Sequence, residues 1–280
     1  MIIVTGATGS IGAHVVQHLR NHVDLRVLVL TEERGKELGA PYVVADFNDP
    51  RTLAPAFKGA QRLFLNGPVD EAMARQQKNA VDAAIAAGVR RIVRVSAAGS
   101  SVTSDRAISR WHGEVDGYIE SSGLSFALLR PTFFMQNLLK SSQSVRSEGQ
   151  LYGGFGQGRL AFIDCRDIAE CGAVLLTESV HLSGAFVLTG RETLSFVDVA
   201  TKLSAKLDRS VSYVDRPVAE LVTAMKSRGV PASIAESFGK MMQAISTGGA
   251  AAITSTVKDL TGHEPRTVDD FLNDYLHQFQ

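Results

Sequence analysis

The chain has 280 residues, of which 45% are hydrophobic and 21% charged, and this balance excludes a disordered or collagen-like protein. The 29 basic and 29 acidic residues give a formal net charge of zero, so no overall field attracts nucleic acid and no nucleic-acid partner is expected. Cys165 and Cys171 are the two cysteines, too few for a disulfide framework or a zinc site, so no metal is expected and a reducing compartment fits.

Short apolar runs alternate with stretches of helical spacing in the first half of the chain. The predicted strands are 2–4, 25–30, 42–45, 62–65, 91–95 and 124–129, and helices are predicted at 11–19, from Asp49, at 71–87 and at 105–120. Repeated strand–helix units with right-handed crossovers predict an α/β fold of the Rossmann type, a doubly wound parallel sheet with helices on both faces. Ligands of such sheets bind at the carboxyl ends of the strands.

The second half is less regular. Residues 151–160 are glycine-rich and are predicted to form a flexible loop, and 184–188 is predicted to be a returning strand. Ser195 and Thr267 each have an aspartate three residues later and are predicted to cap helices. We therefore predict a Rossmann domain over 1–152, joined by 184–190, and a smaller substrate-binding lobe over 153–280.

The start of the chain contains no targeting pattern. Met1 is followed directly by a short apolar run that ends at a glycine, without a basic stretch or a cleavage site. No run of 18 apolar residues is present, so a membrane span is not expected. The expected location is the cytoplasm.

Glycines at positions 6, 9 and 12 follow the first strand and open the first helix. Gly6 permits a tight turn, Gly9 lets the backbone approach a pyrophosphate, and Gly12 lets the helix pack on the strand. The helix N-terminus adds free N–H groups and a positive dipole. The pattern predicts a dinucleotide site, here NAD(P), and the phosphate-binding residues are expected to be Gly6, Thr8, Gly9, Ser10, Ile11 and Gly12.

Asp46 and Phe47 follow the third strand and are predicted to contact the adenine end of the dinucleotide. The Asp46 carboxylate can accept a hydrogen bond from adenine N6. The structural alternative is that Asp46 is simply the turn residue before the next helix.

The G-x-x-G-x-x-G spacing occurs together with the segments VVADFNDP (43–50), RIVRVSAAGS (91–100), LSFALLRPTFFMQN (124–137) and AFIDCRDIAE (161–170). In these motifs the chain resembles the atypical short-chain dehydrogenase/reductase family and, more narrowly, its NmrA-like group. That group includes NAD(P)H-dependent quinone and triphenylmethane reductases and also redox-sensing regulators. The resemblance extends over nearly the whole chain, although its specific motifs lie in the first 170 residues.

The resemblance implies further contacts with the cofactor. Asn66, Gly67 and Pro68 are expected under its central portion, Ser96 and Ala97 beside the nicotinamide ribose, and Pro131, Thr132, Phe133 and Phe134 along the nicotinamide. In each case the alternative is ordinary turn chemistry.

Ordinary short-chain dehydrogenases carry a Tyr-x-x-x-Lys pair, and this chain departs from that pattern. Alignment on Asp116 puts Ile108 at the Tyr place and His112 at the Lys place, while Tyr118 faces elsewhere on the helix. His112 is therefore the candidate catalytic residue, which could orient the ribose, donate a proton or merely pack. Hydride addition to an electron-poor acceptor needs less from the protein, since water or a weak donor can supply the proton.

The turn after the second strand decides between NAD and NADP. Glu32 and Glu33 would repel a 2′-phosphate, whereas Arg34 and Lys36 would attract it. The resemblance favours NADP, although Leu30 or Thr31 stands where the family commonly has an arginine. Arg34, a few residues on, is the candidate cofactor-binding residue, and NAD remains open, as does a solvated charged turn.

An aromatic pocket is expected for a conjugated small-molecule acceptor. Its candidate residues are Trp111, Phe134, Asn137, Tyr152 and Phe155, each of which could equally be core. The leading hypothesis is an NAD(P)H-dependent reductase of quinone-like molecules. The alternatives are a non-catalytic NAD(P)-sensing regulator with a protein partner, and an imine or ene reductase or isomerase of secondary metabolism. The sequence leaves a homodimer open.

Overall fold

The computed structural model describes residues 1–21, 23–177, 182–248 and 252–280. Its strands are β1 Ile2–Val4, β2 Leu25–Val29, β3 Tyr42–Val44, β4 Arg62–Leu65, β5 Arg91–Val95, β6 Ser125–Pro131, β7 Gln150–Gly153, β8 Gly184–Leu188 and β9 Ser212–Asp215. Seven of these form one sheet in the order β3-β2-β1-β4-β5-β6-β8, and the pairs from β3 to β6 are all parallel. The predicted Rossmann-type α/β fold is therefore confirmed.

Helices separate the strands along the chain. They are α1 Gly12–Leu19, α2 Glu32–Leu38, α3 Pro50–Ala56, α4 Met73–Ala86, α5 Ala107–Glu120, α6 Ser142–Glu148, α7 Cys165–Thr177, α8 Phe196–Leu207, α9 Val218–Ser227, α10 Ala232–Ser246, α11 Thr256–Thr261 and α12 Val268–Tyr275, with 3-10 segments at Met135–Ser141 and Leu276–Gln278. Ser195 and Thr267 each form a complete capping box. Reciprocal capping satisfies backbone N–H groups that the first helical turn would otherwise leave unpaired.

The order of the strands reverses beside β1. From β1 the chain continues outward to β2 and β3, whereas β4, β5 and β6 lie on the other side. The loops that leave β1 and β4 therefore diverge, and a crevice opens between them at the carboxyl edge of the sheet.

The described chain divides by its contacts into two units. The first contains 1–105, 109–131 and 165–187, and the second contains 106–108, 132–164 and 188–280. This division differs from the domain boundary that we predicted at residue 152, and the predicted boundary stays a proposal. Helix α7 belongs to the first unit because it packs on α1 and on strands β4 to β6, whereas residues 132–152 contribute to the apolar core of the second.

The glycine-rich segment 151–160 is not simply a flexible loop, and this prediction was wrong for its first part. Strand β7 pairs in parallel with β9, with Gln150 opposite Ser212. The glycines allow close packing: a Cβ at Gly158 would lie 2.2 Å from the carbonyl oxygen of Ile245, and one at Gly154 would lie 2.9 Å from Leu221 Cδ1. Here the absence of a side chain serves packing and not mobility.

Candidate functional site

The turn between β1 and α1 needs its three glycines for three separate reasons. Gly6 has φ +64°, a conformation that side chains other than glycine rarely adopt. At Gly12 a Cβ would lie 2.1 Å from the Gly6 carbonyl oxygen, so the helix could not approach the strand. At Gly9 a Cβ would meet only that same oxygen, at 3.3 Å. Gly9 therefore keeps space open on the exposed side of the turn.

No side chain of the described residues occupies the backbone N–H groups at the start of α1. Its N-cap residue is Ile11, and no side chain caps the helix. The N–H groups and positive dipole at such a helix start favour an anion. Together with the open face at Gly9, this suits a phosphate group held by the backbone.

A cleft of about 580 Å³ lies against this turn in the first unit. Nine predicted cofactor residues line it, namely Gly6, Thr8, Gly9, Arg34, Asp46, Phe47, Asn66, Gly67 and Pro68. Ser10, Ile11 and Gly12 continue the turn into α1 outside the lining. The sequence analysis did not select Thr5, Ala7, Leu28, Val29, Leu30, Ala45, Asn48, Asp70 and Gln76, which also line the cleft.

Thr5 is the most informative of the missed residues. Its buried hydroxyl donates to the Asn66 carbonyl oxygen at 2.7 Å and accepts from the Asn66 N–H at 2.9 Å. These bonds hold the ends of β1 and β4 together at the floor of the cleft. A β-branched hydroxyl residue at the end of the first strand was the available sequence signal.

Arg34 provides the positive charge at the β2 end of the cleft. Its Nη1 donates to Thr8 Oγ1 at 3.4 Å, and it lines the cleft. The neighbouring acidic residues are engaged elsewhere. Glu32 lies 3.5 Å from Lys36 Nζ, and hydrogen bonds from its own backbone and from the Thr31 side chain lower the pKa of Glu33.

Asp46 is both a turn residue and a lining residue of the cleft. Its Oδ1 accepts from the Asn48 backbone N–H at 2.8 Å and from Asn48 Nδ2 at 3.1 Å. This Asx turn fixes the carboxylate at the rim. The two interpretations offered by the sequence are therefore compatible.

A buried polar network lies below the ends of β5 and β6, with Asp116 at its centre. Asp116 forms an ion pair with Arg94, and its Oδ2 accepts from Ser96 Oγ at 2.8 Å, from Ser100 Oγ at 2.9 Å and from Arg130 Nη2 at 2.9 Å. One carboxylate thus joins α5 to two strands and to the loop after β5. Ala97 follows Ser96 in that loop, and the loop bonds to β6 through the Ala98 N–H and the Pro131 carbonyl oxygen.

His112 belongs to the same network. Its side chain is 6% exposed, and its Nδ1 lies 3.2 Å from Arg94 Nη2. Burial, and then the positive charge of Arg94, lower the pKa of His112 to about 3. The ring is therefore neutral at pH 7.

Burial of neutral His112 is expected to make stability depend on pH. In the unfolded chain the ring has its ordinary pKa of 6.5 and takes up a proton as the pH falls, whereas the folded ring does so only near pH 3. Its contribution is fully present above pH 6.5 and is lost between pH 6.5 and about 3. Between pH 7 and pH 5 the loss is about 2 kcal/mol, because each pH unit below the unfolded pKa costs about 1.4 kcal/mol.

Urea unfolding of the native protein and of His112→Gln at both pH values measures this contribution. Other groups titrate alike in the two proteins, so their pH effects cancel in the comparison. Between pH 7 and pH 5 the free energy of unfolding should fall by about 2 kcal/mol more in the native protein than in the variant. Equal losses would mean that the folded ring already accepts a proton at pH 5.

The remaining predicted site residues divide between the two units. Thr132, Phe133, Phe134, Asn137, Tyr152 and Phe155 belong to the second unit, and Trp111 belongs to the first. Trp111 packs against the core of its own unit and lines a shallow cavity there beside Lys78 and Tyr118. Phe134 pairs through its backbone with Ile163.

A cavity of about 780 Å³ lies within the second unit. Phe133, Asn137, Tyr152 and Phe155 line it, as do Phe196, Arg216 and Ala224. Its aromatic wall is rigid: the Phe155 and Phe196 rings stack 4.4 Å apart, and Phe133 meets Phe155 edge-on at 5.6 Å. Flat apolar faces of this kind suit a planar ligand.

Tyr118 is the tyrosine of α5. Its hydroxyl donates to Asp82 Oδ1, and this bond raises the pKa of Tyr118. Lys78 Nζ lies 5.7 Å from the centre of its ring. The phenol is therefore engaged on the exposed surface between α4 and α5.

The chain is similar to known reductases along its whole length. The model of the NmrA-like family matches residues 1–272. The NAD(P)H azoreductase of Xenophilus azovorans is 33% identical, with 100% of this chain and 99% of that protein covered. Among solved structures, the NADPH-dependent quinone oxidoreductase of Escherichia coli complexed with NADPH has a TM-score of 0.89 at 27% identity, covering 99% of this chain and 100% of that one. The triphenylmethane reductase of Citrobacter sp. complexed with NADP(H) has a TM-score of 0.84 at 25% identity, covering 98% and 99%.

Among the described residues, no helix is both long enough and apolar enough to cross a membrane.

Proposed function

Since the chain belongs to the NmrA-like family, we propose that it transfers a hydride from NADPH to a quinone-like or other conjugated small molecule. It is an NAD(P)H-dependent oxidoreductase, and its cofactor is NADP(H). The observation that supports the proposal best is the cleft at the β1–α1 turn, where an open glycine face and an uncapped helix start meet. The finer proposal adds that reduction proceeds without a Tyr–Lys pair.

The residues of the cleft suit the adenosine and pyrophosphate parts of the cofactor. We propose that backbone N–H groups of the Gly6–Gly12 turn hold the pyrophosphate, and that Asp46 accepts from the adenine amino group. Bound NADPH supplies the hydride. Asn66, Gly67 and Pro68 would form the floor beneath its central portion.

Arg34 is proposed to bind the 2′-phosphate of NADPH. Removal of its guanidinium is therefore expected to weaken the binding of NADPH more than the binding of NADH. A hydrogen bond to a charged group contributes about 1.5–3 kcal/mol, so Arg34→Gln should raise the Kd for NADPH about 10- to 100-fold. The Kd for NADH, which lacks that phosphate, should change less than about threefold. Fluorescence titration with both cofactors measures the two constants.

Arg51 offers a matched control because its exposed guanidinium binds Asp49 and does not line the cleft. Arg51→Gln should leave both dissociation constants unchanged. If Arg34→Gln weakened the two cofactors equally, its role would be structural and would not concern the 2′-phosphate.

The cavity of the second unit is proposed to hold the acceptor, because its aromatic wall suits a planar conjugated molecule. Ala224 lines the cavity and lies half-buried on α9. Ala224→Phe should fill part of the cavity and raise the KM for the acceptor about tenfold, corresponding to about 1.4 kcal/mol. The Kd for NADPH should remain unchanged.

Ala219 is the matched control on the same helix, since it is exposed and does not line the cavity. Ala219→Phe should leave the KM unchanged. If both phenylalanine variants had the same effect, the acceptor would bind elsewhere.

The proposed function is tested by anaerobic oxidation of NADPH with a panel of simple quinones and azo dyes. Loss of nicotinamide absorbance that depends on the acceptor is the expected result. NADPH binding without any acceptor-dependent loss would contradict the proposal and would favour an NAD(P)-sensing regulator. Turnover of one natural imine or enone, with none of the quinones or dyes, would favour an imine or ene reductase.

A further inference from the structure

The contact between Arg94 and His112 determines where the imidazole carries its proton. Arg94 is fully buried, and its Nη2 lies 3.2 Å from His112 Nδ1. A guanidinium has only donors and stays protonated in proteins. Nδ1 must therefore accept this hydrogen bond, which leaves the proton of the neutral ring on Nε2.

Arg94 is itself held firmly in place. Its Nε donates to Gln77 Oε1 at 2.8 Å, and its Nη1 forms the ion pair with Asp116. These partners come from α4 and α5. The guanidinium that contacts His112 Nδ1 is thus held in place by side chains from two helices.

The second ring nitrogen is not completely enclosed. Among the described residues, no buried side-chain nitrogen or oxygen lacks a hydrogen-bond partner, and the one hydrogen bond assigned to the His112 ring is at Nδ1. The exposed 6% of the residue must therefore include Nε2. An N–H group at the surface of a buried polar network is ready to donate to a ligand oxygen.

We propose that Arg94 is a positioning residue that fixes His112 as the neutral Nε2–H tautomer, so that His112 binds a ligand oxygen as a hydrogen-bond donor and does not supply the proton of the reduction. The oxygen is an uncharged acceptor, either a ribose hydroxyl of the cofactor or the oxygen of the molecule being reduced. The proposal of a ligand rests on the proposed function, whereas the tautomer does not.

The proton balance of the reduction follows from this assignment. The hydride brings two electrons to the acceptor, and one proton is then needed on the atom that has become electron-rich. The Nε2–H of a neutral ring would leave an imidazolate if it gave up its proton, so the proton comes from water. His112 ends the reaction in the state in which it began it.

The charges that face the ring agree with a neutral donor. Arg94 on β5 and Arg130 on β6 are both positive, and they share the single negative charge of Asp116 on α5 through two ion pairs. A protonated imidazole would add a third positive charge to this buried group. Burial and Arg94 lower the pKa of His112 accordingly.

The first test is nitrogen NMR of the native protein labelled at histidine, with the His112 signals identified by their loss in His112→Gln. The expected result is a protonated Nε2 and an unprotonated Nδ1, unchanged between pH 5 and pH 8. A proton on Nδ1, or titration of His112 above pH 5, would overturn the proposal. This test needs no turnover, so it stands apart from the proposed function.

The second test compares two replacements of His112. The amide nitrogen of Gln can donate from about the position of Nε2, whereas Phe has no donor. The value of kcat/KM should fall about tenfold in His112→Phe, as expected for the loss of one hydrogen bond of about 1.4 kcal/mol, and it should fall distinctly less in His112→Gln. The native pH profile should contain no ionisation near pH 6.5.

The binding constants of His112→Phe show which ligand oxygen accepts the hydrogen bond from His112. A weaker Kd for NADPH in His112→Phe indicates the ribose, whereas a higher acceptor KM with an unchanged Kd indicates the molecule being reduced. Equal losses in both variants, or a pH profile that follows a histidine, would overturn the donor role. Arg94→Met adds an independent check, because the tautomers of His112 should become mixed; a single Nε2–H tautomer in this folded variant would remove Arg94 from the assignment.

Discussion

Gly9→Asp is expected to reduce NADPH-dependent turnover at least about 100-fold, the equivalent of about 2.7 kcal/mol. A Cβ at this position would meet only the Gly6 carbonyl oxygen, at 3.3 Å, a tight contact that a shift of a few tenths of an ångström in the turn would relieve. The new carboxylate would project toward the open face of the turn. Two unit charges about 4 Å apart repel by about 1–4 kcal/mol near a protein surface, and a pyrophosphate carries more than one charge. Blocking of the space adds to this repulsion.

The loss should be one of cofactor binding and not of folding. The Kd for NADPH from fluorescence titration should rise by the same factor as turnover falls, while the circular dichroism spectrum and the urea midpoint stay near those of the native protein. Gln17→Asp adds the same charge to an exposed position of α1 and should leave the Kd within about twofold. Full turnover by folded Gly9→Asp would remove the β1–α1 turn from the cofactor site.

Asp116→Asn is expected to lower the free energy of unfolding by about 3–5 kcal/mol. The carboxylate is the negative partner of Arg94, which is fully buried, and of Arg130, and it accepts from two serine hydroxyls. The amide cannot neutralise either arginine and must present N–H groups to some of these donors. Removal of one partner from a buried ion pair leaves an uncompensated charge, which costs more than the pair itself contributes.

Urea unfolding at pH 7 measures this loss, and α5 provides its control. Glu114, two residues earlier, lies 3.8 Å from Lys78 Nζ, and both side chains are about one-third exposed. Glu114→Gln should cost less than about 1 kcal/mol, as exposed pairs do. If the two variants lost similar amounts, the buried network would not stabilise the junction of β5, β6 and α5.

The parts of the fold that depend on local pattern could be predicted from the sequence. Strand–helix alternation, the glycines of the first turn and the capping boxes at Ser195 and Thr267 all involve residues close together in the chain. Nine of the predicted cofactor residues line one cleft. Eight of them directly follow a strand or lie in the turn after it, which is the position that the topology of a parallel sheet makes predictable, and the ninth, Arg34, lies in the first turn of α2.

The parts that depend on distant contacts could not be predicted in this way. In the sequence, Arg94 is a charged residue within a predicted β-strand, and nothing near it in the chain indicates that it is buried. Its burial beside Gln77, His112 and Asp116 follows only from the packing of α4 and α5 on β5. The glycines of 151–160 indicated flexibility because the residues that crowd them, Leu221 and Ile245, lie far along the chain. Trp111 was assigned to an aromatic pocket by its chemistry alone, whereas it packs in the first unit.

The proposed phosphate site at the β1–α1 turn relies on backbone atoms, and this has a consequence for how the cofactor preference of the protein could change. Gly6 and Gly12 are fixed by conformation and by crowding, so these two positions of the turn cannot be changed to adjust its affinity for a phosphate. Arg34, whose Nη1 contacts Thr8 of that turn, is free of such constraints because it is an exposed residue in the first turn of the short helix α2. A change of preference between the two nicotinamide cofactors can therefore proceed through surface substitutions on one helix, while the part shared by both cofactors stays constant.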